Sequence, residues 1–122
     1  MKRVLSIGQC GFDHGNIAGA LRRAFGCEVD GADGADDARR RIAAARPDLV
    51  LVNRVLDSDG GDGLAIVRDL KQDATTADLP VMLVSNYPEY QAQAVELGAV
   101  PGFGKSSLSQ PATLDKLRPF LT

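Results

Sequence analysis

The chain has no tryptophan, a single histidine and only two cysteines in 122 residues. Each scarcity excludes something. With His14 as the only histidine, no Ser/His/Asp or Cys/His set can be assembled for nucleophilic catalysis, so no enzyme activity is expected. Asp13-His14 suggests metal or acid–base chemistry, but no second histidine stands nearby, and the pair reads as a capping aspartate beside a solvent-exposed histidine. Cys10 and Cys27 form no CxxC pair and have no disulfide-rich context, so the chain reads as reduced and cytoplasmic. A redox role for Cys10 competes with the plainer reading of a small buried residue. No apolar stretch approaches the ~20 residues of a membrane span. The start, MKRVLSIGQC, is too short in apolar residues for a secretory signal. Neither sign of charge dominates: 14 Lys and Arg face 16 Asp and Glu, for a net charge of −2. That balance excludes a general attraction to nucleic acid. Arg22-Arg23 and Arg39-Arg40-Arg41 read as solvated helix faces.

What is present is an ordinary globular composition, 44% hydrophobic and 25% charged. The length suits one domain, residues 1–122, whose core buries roughly two-thirds of the unfolded surface. Three short apolar runs read as buried strands: Val4 to Ile7, Leu49 to Val52, and Val81 to Val84. Weaker strand signals cover Cys27 to Asp30 and Val100 to Phe103, where Pro101 lacks an amide donor and suits an edge. Helical stripes fill the gaps: Ile17, Leu21, Phe25; Ala38, Ile42, Ala45; Leu64, Val67, Leu70; Glu89 to Leu97; and Leu114, Leu117, Leu121. Strand and helix alternate five times with short connections. The expectation is an α/β fold, a doubly wound five-stranded parallel sheet with helices on both faces, in a (βα)5, flavodoxin-like three-layer sandwich.

In such sheets the chemistry stands at the carboxyl ends of the strands. Here the central run ends on an amide, Asn53, and passes into the loop RVLDSDGGDG. Four stretches carry a family pattern: KRVLSI opening the first strand, PDLVLVN closing the third, LPVMLVS closing the fourth, and LGAVPGFGKS after it. Over its whole length the chain resembles the receiver domain of bacterial two-component response regulators. The resemblance implies a signal-transduction module of a phosphorelay, working through protein–protein contact.

The resemblance breaks at the chemistry. In the family the third strand ends in the aspartate that accepts a phosphoryl group; that place falls on Asn53. Two acidic residues that hold Mg²⁺ follow the first strand; those places fall on Gly8 and Gln9. The aromatic before the family's lysine, a switch position, falls on Gly102. Ser85 and Lys105 match the family's small hydroxyl residue and its lysine. A neutral amide is a poor nucleophile toward phosphorus, and Mg²⁺ wants at least one carboxylate. With three acids gone together, the resemblance implies a divergent pseudo-receiver, without metal or other cofactor, that is not phosphorylated on aspartate. Asn53 is expected to accept from Lys105 and to donate to a backbone carbonyl. Ser85 or Asn86 is expected either to keep the pocket's architecture or to satisfy free amides ahead of the fourth helix. Tyr87 and Tyr90, near the start of that helix, are candidate anchors for a protein partner or for self-association.

Two motifs invite other readings. DSDGGDG fails as a calcium loop, because counting from Asp57 puts Asp62 at the glycine position and Arg68 at the glutamate position. The Gly8–Gly15 stretch, GQCGFDHG, reads as a glycine-rich loop that could cradle the phosphate of a nucleotide or other small ligand, with Asp33 as a lone distant acid. Its spacing is not GxGxxG. A third reading keeps the phosphorylation and moves its acceptor, bringing Asp57 or Asp59 over the pocket on a longer loop.

Overall fold

The computed structural model describes all residues, 1–122. Its elements run β1 (Arg3–Ile7), α1 (Gly11–Phe25), β2 (Glu28–Ala32), α2 (Ala35–Ala44), β3 (Leu49–Asn53), α3 (Gly63–Gln72), β4 (Val81–Val84), α4 (Pro88–Glu96), a 3-10 turn (Lys105–Ser107) and α5 (Pro111–Leu121). Proline stands in the first turn of α4 and α5, where its missing N–H costs nothing. No helix is long and apolar enough to cross a membrane.

The sheet is parallel, in the order β2-β1-β3-β4. Alternate residues of each strand feed two cores, because successive side chains point to opposite faces. Leu5, Ile7, Val50, Val52, Val81 and Leu83 pack with Ile42, Leu64, Val67 and Leu70 of α2 and α3. Val4, Leu49, Leu51, Met82 and Val84 pack with Ile17, Leu21, Leu117 and Leu121 of α1 and α5. The three layers expected from the sequence are therefore present. The strands are continuously apolar because both faces are covered.

The sheet has four strands, not five. The segment from Val100 to Phe103 makes only an isolated parallel bridge, Val84 with Phe103. Val100 N–H donates to Val81 O at 2.9 Å and Ser85 N–H to Phe103 O at 3.0 Å. Between these rungs the side-chain amide of Gln91, from α4, is interposed. Its Oε1 accepts from Gly102 N–H at 3.0 Å, and its Nε2 donates to Leu83 O at 2.8 Å. A side chain stands where the direct rung between Gly102 and Leu83 would be, so no ladder forms.

Two other boundaries differ. The second strand begins at Glu28 and runs on to Ala32. The loop expected over Gly8–Gly15 is mostly helix, since α1 starts at Gly11. Gly11 and Gly15 weaken that turn, yet Cys10 caps it, its Sγ accepting from Asp13 N–H at 3.4 Å. Cys10 is thus half-buried at a helix start rather than a core residue. The glycine-rich phosphate cradle expected at Gly8–Gly15 is not a loop.

Candidate functional site

The chain leaves β1 for β2 on one side and later places β3 on the other, so the strand order reverses between β1 and β3. Their carboxyl ends, Gly8 and Asn53, flank the crevice where α/β sheets hold ligands. Asn53 spans it. Its Nδ2 donates to Gly8 O at 3.0 Å and to Val55 O at 2.7 Å. Both partners are carbonyls, which only accept, so the amide must point its NH₂ at them. The donation to a backbone carbonyl matches the expectation for Asn53. The bond to Lys105 is not made.

Lys105 instead donates to Asp13 Oδ2 at 2.8 Å. Asp13 does not cap α1, as its sequence position suggests; it faces the lysine because Cys10 takes that role. The hydrogen bond from Lys105 holds the Asp13 carboxyl below its ordinary pKa of 3.8, with partial burial opposing. His14, expected in solvent, is half-buried against Gly31, where a Cβ would come within 3.2 Å of its ring.

The loop after β3 is a folded hairpin. Val55 and Asp62 form an antiparallel bridge, Leu56 N–H donates to Gly61 O at 2.9 Å, and Asp62 Oδ1 caps α3 through Leu64 N–H at 3.0 Å. This tucks Leu56 inward to 6% exposure. Its side chain fills the space beside Gly8: a Cβ there would lie 2.3 Å from Leu56 Cδ2, and φ at Gly8 is +79°, which favours glycine. The same hairpin leaves Asp57 and Asp59 exposed. Asp59 Oδ1 is engaged by Gly61 N–H at 2.8 Å.

Ser85 Oγ accepts from Tyr87 N–H at 3.2 Å, satisfying an amide just ahead of α4. Asn86 turns the other way, its Oδ1 accepting from Ser106 N–H and Oγ–H at 3.2 and 3.0 Å. At Gly102 a Cβ would meet Leu83 O at 2.2 Å, so the backbones there approach too closely for any side chain. Tyr87 is 59% exposed. Tyr90 is half-buried, edge-on to Tyr87 with centroids 6.0 Å apart, and lies beneath the Arg54 guanidinium at 4.1 Å.

Asn53, Ser85, Lys105, Tyr87 and Tyr90 line one cavity of about 410 Å³, together with Arg54, Val55, Val84 and Asn86. Gly8, Gln9, Gly102, Asp57 and Asp59 do not. Sequence reasoning missed Arg54, a polar residue in a polar loop until the hairpin lays it on Tyr90. A Mg²⁺ ion of the kind the family resemblance implies does not fit these residues. Gly8 offers no side chain, Leu56 fills the space beside it, Gln9 and Asn53 are amides, and Asn53 turns donors inward. No group of three or more His, Cys, Asp or Glu side chains comes together anywhere in the chain.

Solved structures similar to this chain are receiver domains of response regulators. The receiver domain of a DNA-binding response regulator from Colwellia psychrerythraea 34H matches with a TM-score of 0.81 at 22% identity, over 98% of this chain and 97% of that one. The BeF3-activated N-terminal receiver domain of RstA from Klebsiella pneumoniae matches with a TM-score of 0.80 at 26% identity, over 98% of each chain. NtrX from Brucella abortus matches with a TM-score of 0.74 at 26% identity over 96% of this chain, which spans about a quarter of NtrX, 26% of its length. No family model matches the sequence, and no curated protein matches it. The chain has the flavodoxin-like receiver fold.

Proposed function

We propose that the chain is a receiver-like signalling module that acts through protein–protein contact and is not controlled by aspartyl phosphorylation. The observation that carries this reading is the hydrogen bonding of Asn53. A phosphoacceptor needs a carboxylate oxygen free to attack phosphorus. Position 53 has instead an amide whose NH₂ is committed to Gly8 O and Val55 O. The plugged space beside Gly8 argues the same way for the metal. A moved acceptor has little support, since neither Asp57 nor Asp59 lines the cavity. The exposed ring of Tyr87, with Tyr90 behind it, is the proposed anchor for a protein partner or a second copy of the chain.

Incubation with acetyl phosphate and Mg²⁺, followed by intact-mass spectrometry, tests the proposal. No phosphoryl adduct is expected. A hydroxylamine-sensitive mass gain would overturn the reading, and its mapping to Asp57 or Asp59 would establish the moved acceptor.

A further inference from the structure

An Asp-Gly step is chemically soft. The glycine nitrogen, unscreened by any side chain, can attack the carboxyl of the aspartate before it. The chain has four such steps: Asp30-Gly31, Asp33-Gly34, Asp59-Gly60 and Asp62-Gly63. Ring closure needs the glycine nitrogen and the aspartate carboxyl both free to turn toward each other. Where hydrogen bonds hold them, the reaction waits for local opening of the fold.

Most of these steps are held. Asp30 and Gly31 lie in the β1–β2 ladder, and Arg3 Nη1 donates to Asp30 Oδ2 at 3.0 Å. Gly60 N–H donates to Leu56 O at 2.8 Å, while Asp59 Oδ1 accepts from Gly61 N–H at 2.8 Å. Gly63 N–H donates to Arg54 O at 2.8 Å, and Asp62 Oδ1 accepts from Leu64 N–H at 3.0 Å. Asp33-Gly34 differs on both counts. Gly34 N–H makes no hydrogen bond to the backbone, and the space around Gly34 is open, with no atom within 4 Å of where a Cβ would stand. Asp33 is exposed. Its hydrogen bonds are those of its main chain: N–H donates to Asp37 Oδ2 at 3.2 Å, and C=O accepts from Ser58 Oγ at 3.1 Å. The carboxylate itself is unengaged.

We infer that Asp33 is a modification site, the first aspartate of the folded chain to isomerise to isoaspartate. Gly34 N attacks Asp33 Cγ; the OH of the protonated carboxyl and the amide hydrogen leave as water, and a succinimide closes. Water then opens the ring. Cleavage of the new Cγ–N bond restores aspartate. Cleavage of the original peptide bond leaves the main chain running through Cγ, longer by a methylene, with a free α-carboxylate. The composition is unchanged, and no reactant but water is used. The added carbon enters where α2 begins and displaces the two main-chain groups that hold this turn to Asp37 and to the hairpin after β3. The freed α-carboxylate is the group that isoaspartyl methyltransferases esterify.

The test ages the whole chain at neutral pH in heavy-oxygen water, folded and in parallel in urea, and maps isoaspartate and heavy oxygen by peptide mass spectrometry. In the folded chain both are expected at Asp33 well ahead of every other aspartate; in urea all four Asp-Gly steps react alike. Gly34→Ala is expected to lose most of the Asp33 signal. Its backbone is extended, with φ −163°, so alanine fits. Asp33→Glu, whose longer side chain disfavours the ring, makes the same comparison if Gly34→Ala does not fold. An isoaspartyl methyltransferase is expected to label the aged unaltered chain and to label either aged variant far less. The inference is overturned if isoaspartate in the folded chain appears first at another aspartate or evenly over the four steps. Absence of isoaspartate at Asp33 over a time in which the urea-unfolded chain converts would overturn it too, as would equal methyl labelling of both aged variants and the unaltered chain.

Discussion

Replacing Asn53 by aspartate withdraws two donated hydrogen bonds and sets carboxylate oxygens against the carbonyls of Gly8 and Val55. Like partial charges then face each other across the β1–β3 crevice. Asn53→Asp is expected to destabilise the chain by about 1–3 kcal/mol in urea unfolding and to leave it inert to acetyl phosphate. A stable variant that takes up phosphate would contradict both halves. Adding Gly8→Asp makes matters worse, because the new side chain starts inside Leu56 and on a positive φ. The restored acids thus meet a backbone and a leucine already fitted to their absence. Asn53, Ser85 and Lys105 are legible in the sequence because each closes a recognisable strand or pattern. Asp13 and Arg54 are not. Gly11 and Gly15 disguise the first turn of α1 as a loop, which hides the direction Asp13 faces. Arg54 acquires its role only from Tyr90, on a different element.

At the scale of elements, the three buried strands declare themselves as apolar runs, and the helices as stripes spaced three and four apart. The fifth strand does not survive, and periodicity could not have shown it. Its central rung is a side chain: Gln91 holds Gly102 N–H on one side and Leu83 O on the other, while Nε2 also reaches Ser85 O at 3.2 Å. α4 therefore fastens the segment that leads to Lys105. Gln91→Ala is expected to cost about 1–3 kcal/mol and to speed hydrogen exchange at Gly102 while β1 and β3 stay protected. Unchanged exchange at Gly102 would mean that the close backbone approach alone holds the segment. The alternation of strand and helix fixes the expected number of strands only where each strand bonds to its neighbour directly.

Across the whole molecule, the side-chain hydrogen bond that joins the most distant parts of the chain is Lys105 with Asp13, 92 residues apart. It ties the start of α1 to the turn before α5. The folded Asp13 carboxyl titrates below its ordinary value of 3.8, so the folded state binds its proton less readily than the unfolded state does. The stabilisation is therefore complete above that value and fades as the pH falls through the lower, folded one. Half-exposed pairs contribute about 0.2–1 kcal/mol. In thermal melts Asp13→Asn is expected to lie a few degrees below the unaltered chain at neutral pH, with the gap narrowing below about pH 4. A gap that persists undiminished in acid would show that packing, not charge, is what Asp13 supplies.

The Gln91 bracket bears finally on how copies of the chain meet. Three outward-facing groups at and just beyond β4 are occupied: Val81 O by Val100, Leu83 O by Gln91, and Ser85 N–H by Phe103. The opposite rim, β2, carries Glu28 and Asp30, with Arg3 bridging them at 3.1 and 3.0 Å. One border is partly capped by the segment after α4 and the other is charged, a combination that discourages fibrillar, strand-by-strand growth. Crowded copies are expected to meet through helices and loops rather than through strand edges.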